Sequence, residues 1–191
     1  MRVVAGPSRS SGVTLVELVV AVAILAIIAA MGVPAFNYVI TINRLAAASN
    51  ELVGSLQLAR SEAIRRGTRV AVCASSTGSS CTTGGWSSGW IAFEDQDRNA
   101  AVSAGETILR RHTGPEGLQI LTSGNIGSAV VFRADGRARQ ASGALLAGRI
   151  HVCRAGAGVP LNVRQIEIAA GSRVSVSRVS GGGTCAPPAN P

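Results

Sequence analysis

Arg133, Arg137 and Arg139 fall within the short stretch Phe132 to Arg139, around the dipeptide Asp135-Gly136. Asp-Gly between alternating residues signals a hairpin, and a loop of Ala134, Asp135 and Gly136 puts its glycine in the left-handed conformation. Arg133 then pairs across from Arg137, Arg139 follows on the same face, and Phe132 and Ala138 share the opposite, inward face. Guanidiniums converging on one exposed surface repel one another unless an anion or a nearby acid compensates, and a phosphate is the anion they suit. A solvated charged hairpin is the plainer reading of the same residues.

Asp95, Asp97, Asn99 and Glu106 stand at loop positions one, three, five and twelve, the spacing of calcium ligands in an EF-hand. Ala100 replaces the glycine that the sharp turn needs, and Arg98 places a positive charge among the ligands. A polar hairpin loop is therefore the preferred reading, with the calcium site as a weak candidate and no cofactor expected. Cys73, Cys81, Cys153 and Cys185 make an even set, which in an exported domain favours disulfides in one of three connectivities. Cys73 with Cys81 would close a small serine- and glycine-rich loop, and Cys153 with Cys185 would staple the tail to a strand; this is the expected pairing. Zinc is the competing reading, but no C-x-x-C occurs and neither His112 nor His151 is placed to complete a site. The histidines stand apart from any nucleophile and the serines show no elbow motif, so no enzyme activity is expected.

The remaining chemical group is a carboxylate in an apolar setting. Glu17 lies at the start of a run with no charge from Leu18 to Asn43. An uncharged apolar stretch of this length reads as a membrane-spanning helix, in which an acid is costly and calls for a role. The leader before it carries Arg2 and Arg9 and no acid, consistent with a cytoplasmic N-terminus. In an ordinary secretory signal the cleavage site follows the apolar segment; here the small residue, Gly12, precedes it, and a cut there keeps the helix. The freed amine of Val13 on a neighbouring copy could partner Glu17. The alternative is that Glu17 only complements its own helix N-terminus.

These residues need elements to position them. Leu45, Leu52, Leu56, Ala59 and Ala63 form one apolar stripe, so the helix continues past the membrane to Arg65 and Arg66, with Gly67 as its cap. Short runs at 69–73, 90–93, 118–121, 129–132, 148–153, 164–168 and 173–179 predict an antiparallel sheet, and 181–191 reads as loose loop. Beyond the apolar segment, the 191 residues leave enough chain for one compact domain. The net charge of +8 comes entirely from arginine, as the chain has no lysine; a basic excess suits nucleic acid, other anionic polymers or acidic subunits.

Gly12-Val13-Thr14-Leu15-Val16-Glu17-Leu18, with the leader before it and the apolar run after it, resembles the prepilin signature of type IV pilins and type II secretion pseudopilins. The resemblance implies that a prepilin peptidase cuts between Gly12 and Val13, that Val13 is N-methylated, and that Glu17 guides assembly. Asn43 to Leu52, Ala59 to Ala63, Trp86 to Phe93 and Gly105 to Arg110 resemble the GspH/FimT branch of minor pilins and pseudopilins. Gly136-Arg137-Ala138-Arg139 is similar to the Gly-Arg-x-Arg pattern of DNA-binding FimT-type minor pilins, which serve DNA uptake in transformation. The implied fold is α+β and type IV pilin-like, a long N-terminal helix packed on a small antiparallel sheet domain. Residues 1–12 are then a cleaved leader, 13–43 a transmembrane and assembly helix, and 44–191 a periplasmic globular domain. The implied partners are other pilin or pseudopilin subunits, the prepilin peptidase, an inner-membrane assembly platform and DNA. The implied role is a structural subunit of a type IV pilus or type II secretion pseudopilus, with DNA capture by the arginines. The alternative is a purely structural H-type pseudopilin.

Overall fold

The computed structural model describes residues 12–83, 85–156 and 159–191, with all of their side chains except those of 31–35. The expected leader therefore lies outside the described residues apart from Gly12. One helix, α1 (Leu15–Arg66), runs through two compact units of the chain, Met1–Val39 and Ile40–Pro191. Thr14 and Glu17 close its start reciprocally: the Glu17 N–H donates to Thr14 Oγ1 at 3.2 Å, and the Thr14 N–H to Glu17 Oε2 at 3.5 Å. This is a capping box, which satisfies two N–H groups the helix cannot. Its last turn carries Arg65 and Arg66, where positive charge complements the helix dipole. Both hold Glu62, and Arg66 also reaches Glu94. The hydrogen bonds from Arg65, then Arg66, pull the Glu62 carboxyl down to about 2.

In the first unit, every described side chain from Val13 to Ala30 is exposed, Leu15 at 81% and Ile27 at 62% among them. No helix among the described residues is long and apolar enough to cross a membrane.

In the second unit the stripe is buried: Leu45, Leu52, Leu56, Ala59 and Ala63 are fully enclosed, joined by Ala48. It packs with residues of two antiparallel sheets. The first contains β1 (Val70–Ala74), β2 (Gly89–Glu94), β3 (Ile108–Thr113), β5 (Ala129–Phe132) and β6 (Ala138–Arg139), in the order β3-β2-β1-β5-β6. The second contains β4 (Gln119–Thr122), β7 (Gly148–Cys153), β8 (Val163–Ile168) and β9 (Val174–Val179), in the order β4-β7-β8-β9. Alternation works as the sequence suggests: Val70, Val72 and Ala74 join the core that contains the stripe, while Ala71 and Cys73 point the other way.

That other face is not left to water. Ala71, Cys73, Ile91, Phe93, Ala129 and Val131 form a second cluster with Ala100, Val102 and Cys81, from the loops that follow β2 and β1. Three central strands are thus buried on both faces, where a one-sided antiparallel sheet would bury alternate residues. β3 is absent from the sequence reading because Arg110, Arg111 and His112 make it look polar. It is an edge strand, paired only with β2, and keeps those arginines exposed.

Candidate functional site

The hairpin forms as its sequence dictates. Phe132 pairs with Ala138 and Val131 with Arg139. The Gly136 N–H donates to the Arg133 carbonyl at 2.8 Å, the Arg133 N–H to the Arg137 carbonyl at 3.2 Å, and Asp135 Oδ1 accepts from the Arg137 N–H at 3.0 Å. Gly136 has φ +72, and a Cβ there would sit 2.8 Å from Ile64 Cδ1. Glycine therefore serves both the left-handed turn and the close seat of the hairpin on α1. Phe132 and Ala138 are fully buried on the inward face, and the Ala138 N–H is satisfied by Ser172 Oγ at 2.6 Å.

The three arginines divide. Arg137 is exposed and stands apart, whereas Arg133 and Arg139 line a recess of about 420 Å³ together with Arg69, Arg98, Asp95 and Gln96. Sheet register explains the company. Val70 pairs with Phe132 on one side and with Glu94 on the other. One step earlier, Arg69 falls between Arg133 and Asp95, and its Nη2 lies 2.8 Å from Asp95 Oδ2. Arg139 is half-buried, with Nη1 donating to the Gly143 carbonyl at 3.5 Å and Nη2 4.0 Å from Asp135 Oδ2. Its Nε is buried with no hydrogen-bond partner. The sequence reading did not find Arg69 or Arg98. The signal for Arg69 was its place between the helix cap and β1; for Arg98 it was the positive charge that spoiled the calcium pattern.

Asp95, Asp97 and Glu106 do come together, with carboxylate oxygens within 4.8 Å of one another. Their oxygens already face donors. Glu106 accepts from the N–H groups of Gln96, Asp97 and Ser103, and Asp95 Oδ1 accepts from that of Ala100. The Asn99 amide donates to Asp97 Oδ2 at 2.8 Å. The Ser103 hydroxyl, with the Asn99 N–H behind it, holds the Asp97 carboxyl below its ordinary range. Arg69 supplies a cation at Asp95. The carboxylates of this loop thus accept mainly from the loop's own N–H and side-chain donors.

Cys73 is bonded to Cys81 and Cys153 to Cys185, and there is no free cysteine. The tail is held more firmly than its glycines and prolines suggest. His151 Nδ1 lies 3.1 Å from the Ala186 carbonyl, Asn162 bridges Gly181 and Thr184, and Asn190 Oδ1 accepts from the Asn125 N–H. The His112 ring stacks on Trp90 at 4.8 Å, and its Nδ1 is 3.5 Å from Glu51. Both histidines therefore hold structure together. Glu17 sits in the capping box with Thr14, a capping partner that the sequence reading passed over although Thr-x-x-Glu was legible.

Comparison with known proteins agrees with this architecture. Residues 48–179 match the family described as type II transport protein GspH, and residues 7–33 match the prokaryotic N-terminal methylation motif. Among solved structures, the type IV minor pilin FimU of Pseudomonas aeruginosa is similar at 21% identity, with a TM-score of 0.51, covering 71% of this chain and 89% of its own. The minor pseudopilin EpsH from the type 2 secretion system of Vibrio cholerae is similar at 11% identity, with a TM-score of 0.48, covering 73% of this chain and 98% of its own. No curated protein matches the chain.

Proposed function

The chain belongs to the GspH family of minor pilins and pseudopilins, and on that premise we propose that it is made as an inner-membrane precursor, cut between Gly12 and Val13 by a prepilin peptidase, N-methylated at Val13, and taken by an assembly platform into a filament or its initiating tip. The observation that carries this reading is the N-terminal stretch of α1, whose described apolar side chains are all exposed. Apolar surface of that extent needs lipid before assembly and neighbouring subunits after it. Residues 13–43 would be the membrane and assembly helix, and 44–191 the periplasmic domain. Glu17→Leu then passes through processing but enters filaments several-fold less than the wild type, read by immunoblot of sheared filaments. Equal incorporation would leave Glu17 with its capping role alone.

A second function is favoured by the arginines. We read Arg133, Arg137 and Arg139 as a DNA contact, which would place the chain in a type IV pilus serving DNA uptake. Phosphate contacts predict weak sequence dependence and a steep fall of affinity with salt. In a fluorescence titration of duplex DNA against the full chain in detergent, Arg137→Gln with Arg139→Gln weakens binding and flattens the salt slope by about two units. Absence of binding by the wild type at low salt leaves a purely structural H-type pseudopilin of type II secretion.

A further inference from the structure

We infer that the recess lined by Arg69, Arg98, Arg133 and Arg139 is a specific site for a phosphomonoester dianion. Among the described residues its one lining carboxylate is Asp95, which already faces a cation and a donor: Oδ2 is ion-paired with Arg69 Nη2 at 2.8 Å and Oδ1 accepts from the Ala100 N–H. The side chains of Arg98 and Arg133 have no hydrogen bond or ion pair among the described residues. Arg139 reaches Asp135 only at 4.0 Å and keeps a buried Nε without an acceptor. Arg98 and Arg133 are exposed to water, so the recess is open and solvated, and it offers an entering anion two guanidiniums that no acid among the described residues holds.

The backbone of the β2–β3 loop is shaped for this placement. Arg98 has φ +67 and Ala100 φ +58, conformations that non-glycine residues adopt at a cost. Asp97 and Asn99 hold the turn by accepting from the N–H groups of Asn99 and Ala101. The side chain so positioned is Arg98, which lines the recess together with Arg133 and Arg139 of the hairpin.

Charge and shape select the ligand class. Guanidiniums match phosphate oxygens in bidentate fashion. A phosphomonoester carries about −1.5 to −2 at neutral pH, whereas a diester in a strand carries a single charge. A concave site of about 420 Å³ accepts a terminal group more readily than a ridge of backbone. The dianion could be the 5′-phosphate of a DNA end or a free phosphate compound. Only the first source rests on the DNA reading; there, Arg137 on the outer surface would touch the strand while the recess holds its end.

The test uses the full chain in detergent and one short fluorescent duplex made with 5′-phosphates or with 5′-hydroxyls. Thermal unfolding with inorganic phosphate alone is followed in parallel. The expected result is about tenfold tighter binding of the phosphorylated duplex, the size of one added charge-assisted contact. Inorganic phosphate erases that preference and raises the melting temperature, and Arg98→Asn, which breaks no hydrogen bond or ion pair among the described residues, reduces both effects. If neither duplex binds but phosphate still raises the melting temperature in the wild type and not in Arg98→Asn, the site stands with a free phosphate compound as its occupant, and the DNA reading falls. If the two duplexes bind alike and phosphate leaves the melting temperature unchanged, the recess is no such site, while the DNA reading survives on the surface arginines. No response to either probe overturns both.

Discussion

A chain carrying Gly12→Val keeps its leader. Intact-mass measurement of the membrane fraction finds one full-length form, where the wild type shows a chain beginning at a methylated Val13. The effect is close to all or none because the site must present backbone to a peptidase, and a branched side chain at the cleaved bond obstructs that approach. Folding gives no competing explanation: a Cβ at Gly12 meets nothing within 4 Å. Cleavage of the wild type after the apolar run, or an intact leader in the wild type, would sink the proposed route into the filament.

Trp90→Ala gives the largest loss of stability. Trp90 is 1% exposed, stacks on His112, and its Nε1 donates to Ser55 Oγ of α1 at 2.9 Å. It therefore ties β2 to the helix through both area and a hydrogen bond. Truncating a buried tryptophan costs about 3–5 kcal/mol, a large share of the roughly 5–15 kcal/mol that holds a domain of this size. Urea denaturation of the full chain in detergent measures it. Trp90→Phe keeps most of the ring contact and loses the hydrogen bond to Ser55, for a smaller cost of about 1–2 kcal/mol. A loss below about 1 kcal/mol for the alanine variant would show that the α1–β2 contact does not hold the core.

The helix and the hairpin were legible because local rules specify both. The stripe from Leu45 to Ala63 repeats at helical spacing, and Asp135-Gly136 selects its own turn, so Phe132 and Ala138 fall inward as expected. What could not be read depends on which strands lie side by side. Arg69 meets Arg133 only because β1 pairs with β5, and Asp95 only because β1 also pairs with β2. Nothing near Arg69 in the chain announces either partner. The same applies to Val131 and Ala71, whose outward face is covered by loops distant in sequence. β3 was missed for a different reason: an edge strand can carry arginines, so its pattern gives little signal. Of the candidate site, the sequence supplied Arg133 and Arg139, and the fold added Arg69 and Arg98.

The bond between Cys153 and Cys185 also makes a covalent ring of the chain from β7 through β8 and β9 to the tail. Arg164, Arg173 and Arg178 all lie inside that ring. A single nick by an arginine-directed protease at any of them opens the backbone without releasing a fragment, since the two new ends stay joined through the disulfide and through the β7–β8–β9 ladder. The segment from Cys153 to Cys185 is therefore built to survive cutting, and damage there becomes visible only once the thiols are reduced.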